Sequence, residues 1–329
     1  YSAGMLGDED RNERFKTAVQ ACIKCFWNEN PTVNKPVVLD MGCGTGYLSK
    51  CAIDCALETG QRLHVILADI NVDMLGMSRT NLRAMCPGAT EAIASHEAPV
   101  TYQLWRAGKY NRKNSVDIII SEIFGALADG ESAYKYLGEV RKCLVKRPRT
   151  YMVPQSAVQY ATAYALEAGS DAETTMLACF PSTPYPVVTD FSPGEGGASF
   201  SSFLYPMYRI FHRQITKVTL AEFDYHAQTQ RHRSQRIDLC GKEEDDFLII
   251  SYDWSSILWE GVMLDVSLAK IRDMHLVNPM SAASRMHAWP PLLTRVGAFL
   301  YDIGLDANSE FFQYSCMLHP HQPHGCHGQ

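Results

Sequence analysis

Residues 35–49 read KPVVLDMGCGTGYLS. Val37, Val38 and Leu39 form the short β-branched, apolar run of a buried strand. Gly42, Gly44 and Gly46 follow, and helical spacing begins near Tyr47. Glycine lets a backbone approach a ligand closely, and the start of a helix offers unpaired N–H groups. The dinucleotide fingerprint is GxGxxG. Here the order is GxGxG, so the match to a nicotinamide fold is imperfect. Asp40 stands just before the glycines, where a carboxylate suits an ammonium better than a pyrophosphate. That favours a ligand with an amino acid end and no phosphate, such as S-adenosylmethionine. The alternative is a glycine turn made for tight packing alone.

Two further strand–turn–helix units lie outward from this stretch. HVILADINVDMLGMSRTNLRAM begins at His64, and its strand ends in Asp69, an acid placed to accept from both hydroxyls of a ribose. VDIIISEIFGALADGESAYKYLGEVRKCLV begins at Val116, with Ala133, Leu137, Val140 and Leu144 on one helical face. Repeated units of this kind imply a parallel sheet covered on both sides, with ligands beyond the carboxyl ends of the strands. From about Pro154 the rhythm changes to short alternating runs such as AVQYATAYAL, DFLIISYDW and VGAFLYDIGL. The expected architecture is α/β: a Rossmann-like domain over residues 1–153, then an antiparallel β-barrel or sandwich over residues 154–329. The Ser, Thr, Pro and Gly-rich stretch between Ala168 and Phe203 is a long excursion.

The bulk numbers bound the function. The chain has 329 residues, 46% of them hydrophobic, and a formal net charge of -6. That balance lacks the basic footprint of a nucleic-acid binder and weakly suits a cationic partner. No apolar run reaches the roughly 18 residues of a membrane span, and no secretory leader is recognisable. The 11 cysteines are scattered, which points to a reducing, intracellular compartment and mostly buried thiols. Cys22 and Cys25 have CxxC spacing, but no second pair completes a zinc site, so they read as helix residues one turn apart. The tail CMLHPHQPHGCHGQ reads as solvated, and no metal is expected.

SEIFGALADGE, residues 121–131, carries the reaction chemistry. Glu122 and Glu131 bracket a tight loop after a buried strand. Two such carboxylates repel, and burial would protonate one of them. A cationic guest removes the conflict. Guanidinium is planar, carries five N–H donors and stays protonated. Gripped on two edges, it keeps one terminal nitrogen directed at a methyl donor. The alternative is that Glu131 simply begins the next helix, where the dipole favours acids. In MLGDEDRNERF, Arg11 either opens a solvated helix or reaches a ligand carboxylate with its fork.

Four segments in this order, MLGDEDR, VVLDMGCGTGYLS, SEIFGALADGE and YMVPQSAVQYA, resemble the protein arginine methyltransferases. The resemblance covers residues 1–165 well and the remainder in outline. YSAGMLGDEDRNERF is most similar to the monomethylating, type III branch. It implies a class I methyltransferase domain followed by an antiparallel β-barrel, with S-adenosylmethionine as donor and S-adenosylhomocysteine as product. It assigns Glu122 and Glu131 to the arginine, Arg11 to the methionyl carboxylate, and Asp40 with Gly42, Cys43, Gly44, Gly46 and Leu48 to the amino acid end. Asp69 falls to the ribose, where the family usually has glutamate, with Ile70 beside it and Glu97 near the adenine. Met5, Phe124, His287 and Trp289 would contact substrate. Phe124 replaces a methionine of the dimethylating relatives, and its bulk either denies room for a second methyl or is ordinary loop packing. RMHAWPP departs from the family's threonine-histidine-tryptophan loop, and Trp289 fits a barrel core as well as a site.

The resemblance further implies a homodimer with an arm at about residues 170–204. Substrates would be arginine-containing proteins or peptides, Gly/Arg-rich segments and histones among them. No nucleic acid and no membrane is expected as a partner. The location would be the cytoplasm, with the nucleus as a second site. Two rival readings are a small-molecule methyltransferase, which leaves the paired glutamates unexplained, and a non-catalytic scaffold of the same fold.

Overall fold

A computed structural model describes residues 8–85, 100–104, 115–125, 127–166, 212–239, 247–267, 292–296, 300–306 and 313–318. The first element is helix α1, Glu9–Glu29. Asp8 caps it by accepting the Arg11 N–H at 3.1 Å, and Glu9 and Asp10 sit in the first turn, where the helix dipole favours acids. Phe15, Val19, Cys22, Ile23 and Phe26 repeat every three or four residues and are fully buried. The CxxC pair thus lies on this helix, with Cys22 buried and Cys25 partly so.

A five-stranded parallel sheet follows, built from β1 (Val37–Met41), β2 (His64–Asp69), β3 (Val100–Leu104), β4 (Ile118–Ser121) and β5 (Met152–Val153). Its spatial order is β3-β2-β1-β4-β5. The chain runs outward from β1 on one side, then returns to lay β4 against the other edge of β1, pairing Val38 with Ile118 and Met41 with Ser121. The strand order reverses between β1 and β4, and a crevice opens there beyond the carboxyl ends. Helices α2 (Tyr47–Thr59), α3 (Val72–Met85) and α4 (Ala133–Arg141) complete the unit. Strands β1, β2 and β4 are nearly continuously buried, as parallel strands are when both faces are covered.

Past the Val153–Pro154 peptide the strands become antiparallel. The central one is β6 (Ser156–Leu166), 11 residues long. One edge pairs along its length with β7 (His212–Asp224). The other pairs first with β11 (Trp254–Trp259) and then with β10 (Phe247–Tyr252). With β8 (Thr229–His232), β12 (Val262–Asp265) and β13 (Leu292–Val296) they make a seven-stranded sheet. The strands β9 (Gln235–Asp238), β14 (Leu300–Asp306) and β15 (Gln313–Leu318) form a separate three-stranded sheet. The expected barrel is therefore not closed: among the described residues β8, β12 and β13 each pair on one edge only, and no pairing joins the two sheets. The arm expected at 170–204 lies outside the described residues, as does nearly all of the histidine-rich tail.

One apolar core joins the parallel unit to the β11–β12 hairpin, running from Phe15, Ile23 and Leu39 to Trp254 and Trp259. Ion pairs frame it. Arg149 donates to Glu29 at 2.7 Å, pairs also with Glu260, and lies over the Trp259 ring at 5.0 Å. Arg14 donates to the Met263 carbonyl at 2.6 Å. Helix α1 is thereby fixed against both the sheet and the hairpin.

Candidate active site

The crevice between β1 and β4 holds a cavity of about 460 Å³, within the range of small-molecule sites. Arg11, Gly42, Cys43, Gly44, Leu48, Asp69, Ile70, Glu122 and Glu131, all singled out in the sequence, line it together. Asn71, Met74, Ile123, Tyr47 and Tyr136 line it too.

The floor is the glycine turn. Gly42, Gly44 and Gly46 have φ of 69°, 49° and 85°, the left-handed region that favours glycine. A Cβ on Gly42 would lie 2.6 Å from Ile123 Cγ2, so the turn and the loop after β4 need a bare backbone to meet. The Gly42 N–H donates to the Ala68 carbonyl at 2.8 Å, tying the turn to β2. Gly46 is absent from the lining. Its Cα faces Ser78 on α3, where an added Cβ would come within 3.1 Å, so this glycine lets α3 pack against the turn.

Asp40 also differs from expectation. It is 1% exposed and lies beneath the turn, outside the lining. Its Oδ2 accepts the Ser49 N–H at 3.0 Å and the Ser49 hydroxyl at 2.6 Å. Gly46, the cap residue of α2, has no side chain to bond the first turn, and Asp40 supplies the missing acceptor. Burial pushes its carboxyl up to about 7 against the opposing pull of the Ser49 bonds. Asp69 faces the cavity. Its Oδ2 accepts from Gly44 N–H at 3.0 Å and its Oδ1 from Asn71 N–H at 2.8 Å, which leaves each oxygen further lone pairs for a ligand. Burial also pushes the Cys43 thiol up, so it remains a thiol at neutral pH.

Opposite the turn stands the acidic wall. Glu122 follows β4 directly and is 9% exposed. The Phe124 N–H donates to its Oε1 at 3.3 Å, and Arg11 forms an ion pair with its Oε2. Burial raises the Glu122 carboxyl to about 7, with Arg11 pulling down and Glu131 pushing up. Arg11 was expected on a ligand carboxylate; it lies on the cavity wall but spends its fork on Glu122 and on Asn12 Oδ1, 2.6 Å away. A guanidinium this buried takes the nearest acid. Sequence reading missed this pairing because 111 positions separate the partners. Tyr47 was missed as well; its hydroxyl donates to the Asn12 carbonyl at 3.0 Å and anchors α1 over the turn.

Glu131 is exposed at the rim of the same cavity, just ahead of α4. The intervening loop is held by close packing. A Cβ on Gly125 would come within 3.2 Å of Gly130 Cα, and the Gly130 N–H donates to the Leu127 carbonyl at 2.9 Å. Asp129 is 2% exposed and accepts the Tyr134 N–H at 2.6 Å, at the start of α4. The Ala128 N–H donates at 2.8 Å to Gln159 Oε1 on β6, and Gln159 Nε2 donates to the Asp253 carbonyl at 2.8 Å. The antiparallel sheet therefore holds the loop that carries both acids.

Phe124 is not a wall of this cavity. It is 1% exposed and packs against Trp254, ring centroids 4.6 Å apart, because the apolar core offers its ring a better berth than the acidic cavity. Met5, Glu97, His287 and Trp289 lie outside the described residues. Among the described residues no group of three His, Cys, Asp or Glu could hold a metal ion, and no helix is long and apolar enough to cross a membrane.

A family model described as "Methyltransferase domain" matches residues 33–189, the segment that carries the glycine turn, Asp69 and both glutamates. That segment is a methyltransferase domain. Among solved structures, the chain is similar to the PRMT1 enzyme–prozyme heterotetrameric complex with AdoHcy of Trypanosoma brucei. Identity is 18% and the TM-score 0.51, over 97% of this chain and 93% of that one. It is also matched by protein arginine methyltransferase 10 of Arabidopsis thaliana, at 15% identity and a TM-score of 0.48, over 92% and 86% of the two chains. The first likeness establishes the shared fold: a Rossmann-like parallel sheet joined to antiparallel strands.

Proposed function

We propose that the protein transfers a methyl group from S-adenosylmethionine to a guanidinium nitrogen of arginine in protein substrates, leaving S-adenosylhomocysteine. One observation carries the reading: Glu122 and Glu131 share a single cavity with the glycine turn and Asp69. A donor site alone needs no second acid at its rim. The residues fit the donor. The left-handed turn admits a ligand against bare backbone, and Asp69 retains lone pairs for it. S-adenosylmethionine supplies a methyl on a sulfonium sulfur.

The chain's own residues do the rest by position and charge. Glu131, at the rim, and Glu122, deeper in, hold the guanidinium by two edges. Arg11 neutralises part of the Glu122 charge and orients that carboxylate. Bound guanidinium draws its positive charge toward the acids, and the remaining terminal nitrogen gains lone-pair character for attack on the methyl. An incoming cation also opposes the burial and the Glu131 repulsion that raise Glu122, so substrate binding favours the ionised pair.

The product assigned here is ω-N-monomethylarginine, which rests on the resemblance of residues 1–15, since the Phe124 ring packs away from the cavity. Gly/Arg-rich segments and histones are the substrate class, a homodimer the working unit, and the cytoplasm, with the nucleus second, the location. The test is tritiated S-adenosylmethionine with an arginine-rich peptide, followed by mass analysis of the modified residue. Label on arginine as a single methyl is expected. Label on a small metabolite, or none while the donor binds, would overturn the reading.

A further inference from the structure

A second cavity, also of about 460 Å³, opens at the other end of the parallel sheet. Asp117, on its wall, immediately precedes β4 and accepts the Val37 N–H at 2.9 Å, so it marks the amino ends of the strands. Glu122 lies just past the far end of the same strand, about 16 Å away at the rise of a β-strand. Nothing in the methyl-transfer reading uses this cavity.

Its wall comes from one basic run. Residues 141–149, RKCLVKRPR, hold five cationic side chains and no acid. Arg141, Lys142, Lys146, Arg147 and Arg149 all line the cavity, and Asp117 is the one acid among its described lining residues. Arg147 is ion-paired with Asp117, and Arg149 with Glu29 and Glu260. Among the described residues Arg141, Lys142 and Lys146 have no ion-pair partner, and the Nε atoms of Arg141 and Arg147 are buried without an acceptor. A chain of net charge -6 thus concentrates uncompensated positive charge in one concave site. A buried guanidinium N–H without an acceptor is unfavourable and calls for one. Thr150 adds a hydroxyl to the same wall.

We propose that this cavity binds a small polyphosphate anion, independently of the methyl-transfer site. Phosphate oxygens accept in pairs from the Arg141 fork, and Lys142 and Lys146 add point charges; the terminal nitrogens of Arg147 and Arg149 are engaged by Asp117, Asn30, Glu29 and Glu260 and add only longer-range positive potential. An arginine-rich substrate would be repelled here, so the site is not a second substrate groove. The two sources of this chemistry are inorganic tripolyphosphate and a nucleoside triphosphate.

Calorimetry of the full chain separates them, with S-adenosylhomocysteine saturating so that the first cavity is filled. Either anion should bind and lose affinity as salt rises. Equal affinities would name the phosphate chain as the recognised group, and tighter nucleotide binding would name the nucleotide. The variant R141Q/K142Q/K146Q should weaken binding at least about tenfold. The exposed pair K142Q/K146Q, which cannot disturb the core, should weaken it at least about threefold. No binding of either anion, binding unchanged in both variants, or binding of an RNA oligonucleotide alone would overturn the proposal.

Discussion

Replacing Gly42 by alanine tests the geometry of the turn quantitatively. At φ +69° an alanine is strained by about 1–2 kcal/mol. The new Cβ would also lie 2.6 Å from Ile123 Cγ2, and overpacking of this kind costs about 1–3 kcal/mol. Against this, the unfolded chain loses freedom worth about 0.4–1 kcal/mol. The expected net loss is about 1–5 kcal/mol, centred on about 3. Gly60 is the internal control. Its φ is +65°, yet nothing lies within 4 Å of an added Cβ, so only the strain remains and the loss should stay near 0–1 kcal/mol. Urea denaturation of both variants measures the difference, and calorimetry with S-adenosylhomocysteine measures its consequence for the donor site. Gly42→Ala should lose donor affinity because Ile123 and the turn must separate; Gly60→Ala should keep it. Equal losses of stability, or a Gly42→Ala protein that binds donor normally, would refute the close approach as the reason for that glycine.

Three further outcomes follow from the same geometry. Glu122 is raised to about 7 by burial, so it is neutral below that pH, and kcat/KM for an arginine peptide should climb as pH rises through about 7; a flat profile from pH 5.5 to 8 would contradict the assignment. Asp129 is raised from 3.8 to about 7 by burial, so its ionisation favours the unfolded chain: its own contribution to native stability is greatest below 3.8, falls as pH rises toward 7, and falls no further above it. Relative to wild type, Asp129→Asn should therefore gain up to about 4 kcal/mol between pH 4 and pH 8 in urea denaturation, and no relative gain would sink that reading. Gln159→Leu leaves the buried Ala128 N–H without an acceptor, which should cost about 1–3 kcal/mol and lower kcat while donor affinity holds; unchanged kcat would show that the antiparallel sheet does not position the loop.

Much of the parallel unit was legible because its signals are local. The run from Val37 to Leu39 is a strand, the glycines turn, and Asp69 closes the next strand, all within a few residues of one another. The tight loop from Glu122 to Glu131 was readable for the same reason. Where the decisive contact is distant, sequence said little. Arg11 meets Glu122, Gln159 meets Ala128, and Phe124 meets Trp254 only after the chain has folded. Asp40 and Gly46 were read as ligand groups because they flank the turn, yet each is used internally, for the first turn of α2 and for the approach of α3. Alternation leaves barrel and sandwich open, because it fixes strand type but not which edges meet, and the barrel was implied by the family resemblance. The basic run at 141–149 carries no site signal in the sequence, because a row of lysines and arginines becomes a cavity wall only when Asp117 and α4 frame it.

The central claim is that donor and acceptor occupy one cavity but depend on different residues. Glu131 is exposed at the rim, so Glu131→Gln alters charge there without disturbing the core. Single-turnover methyl transfer to an arginine peptide, measured beside S-adenosylhomocysteine binding on the same preparation, isolates the acid's role. Transfer should fall by about 10²–10³ while donor affinity stays within about threefold of wild type. Transfer at the wild-type rate by Glu131→Gln would contradict the account.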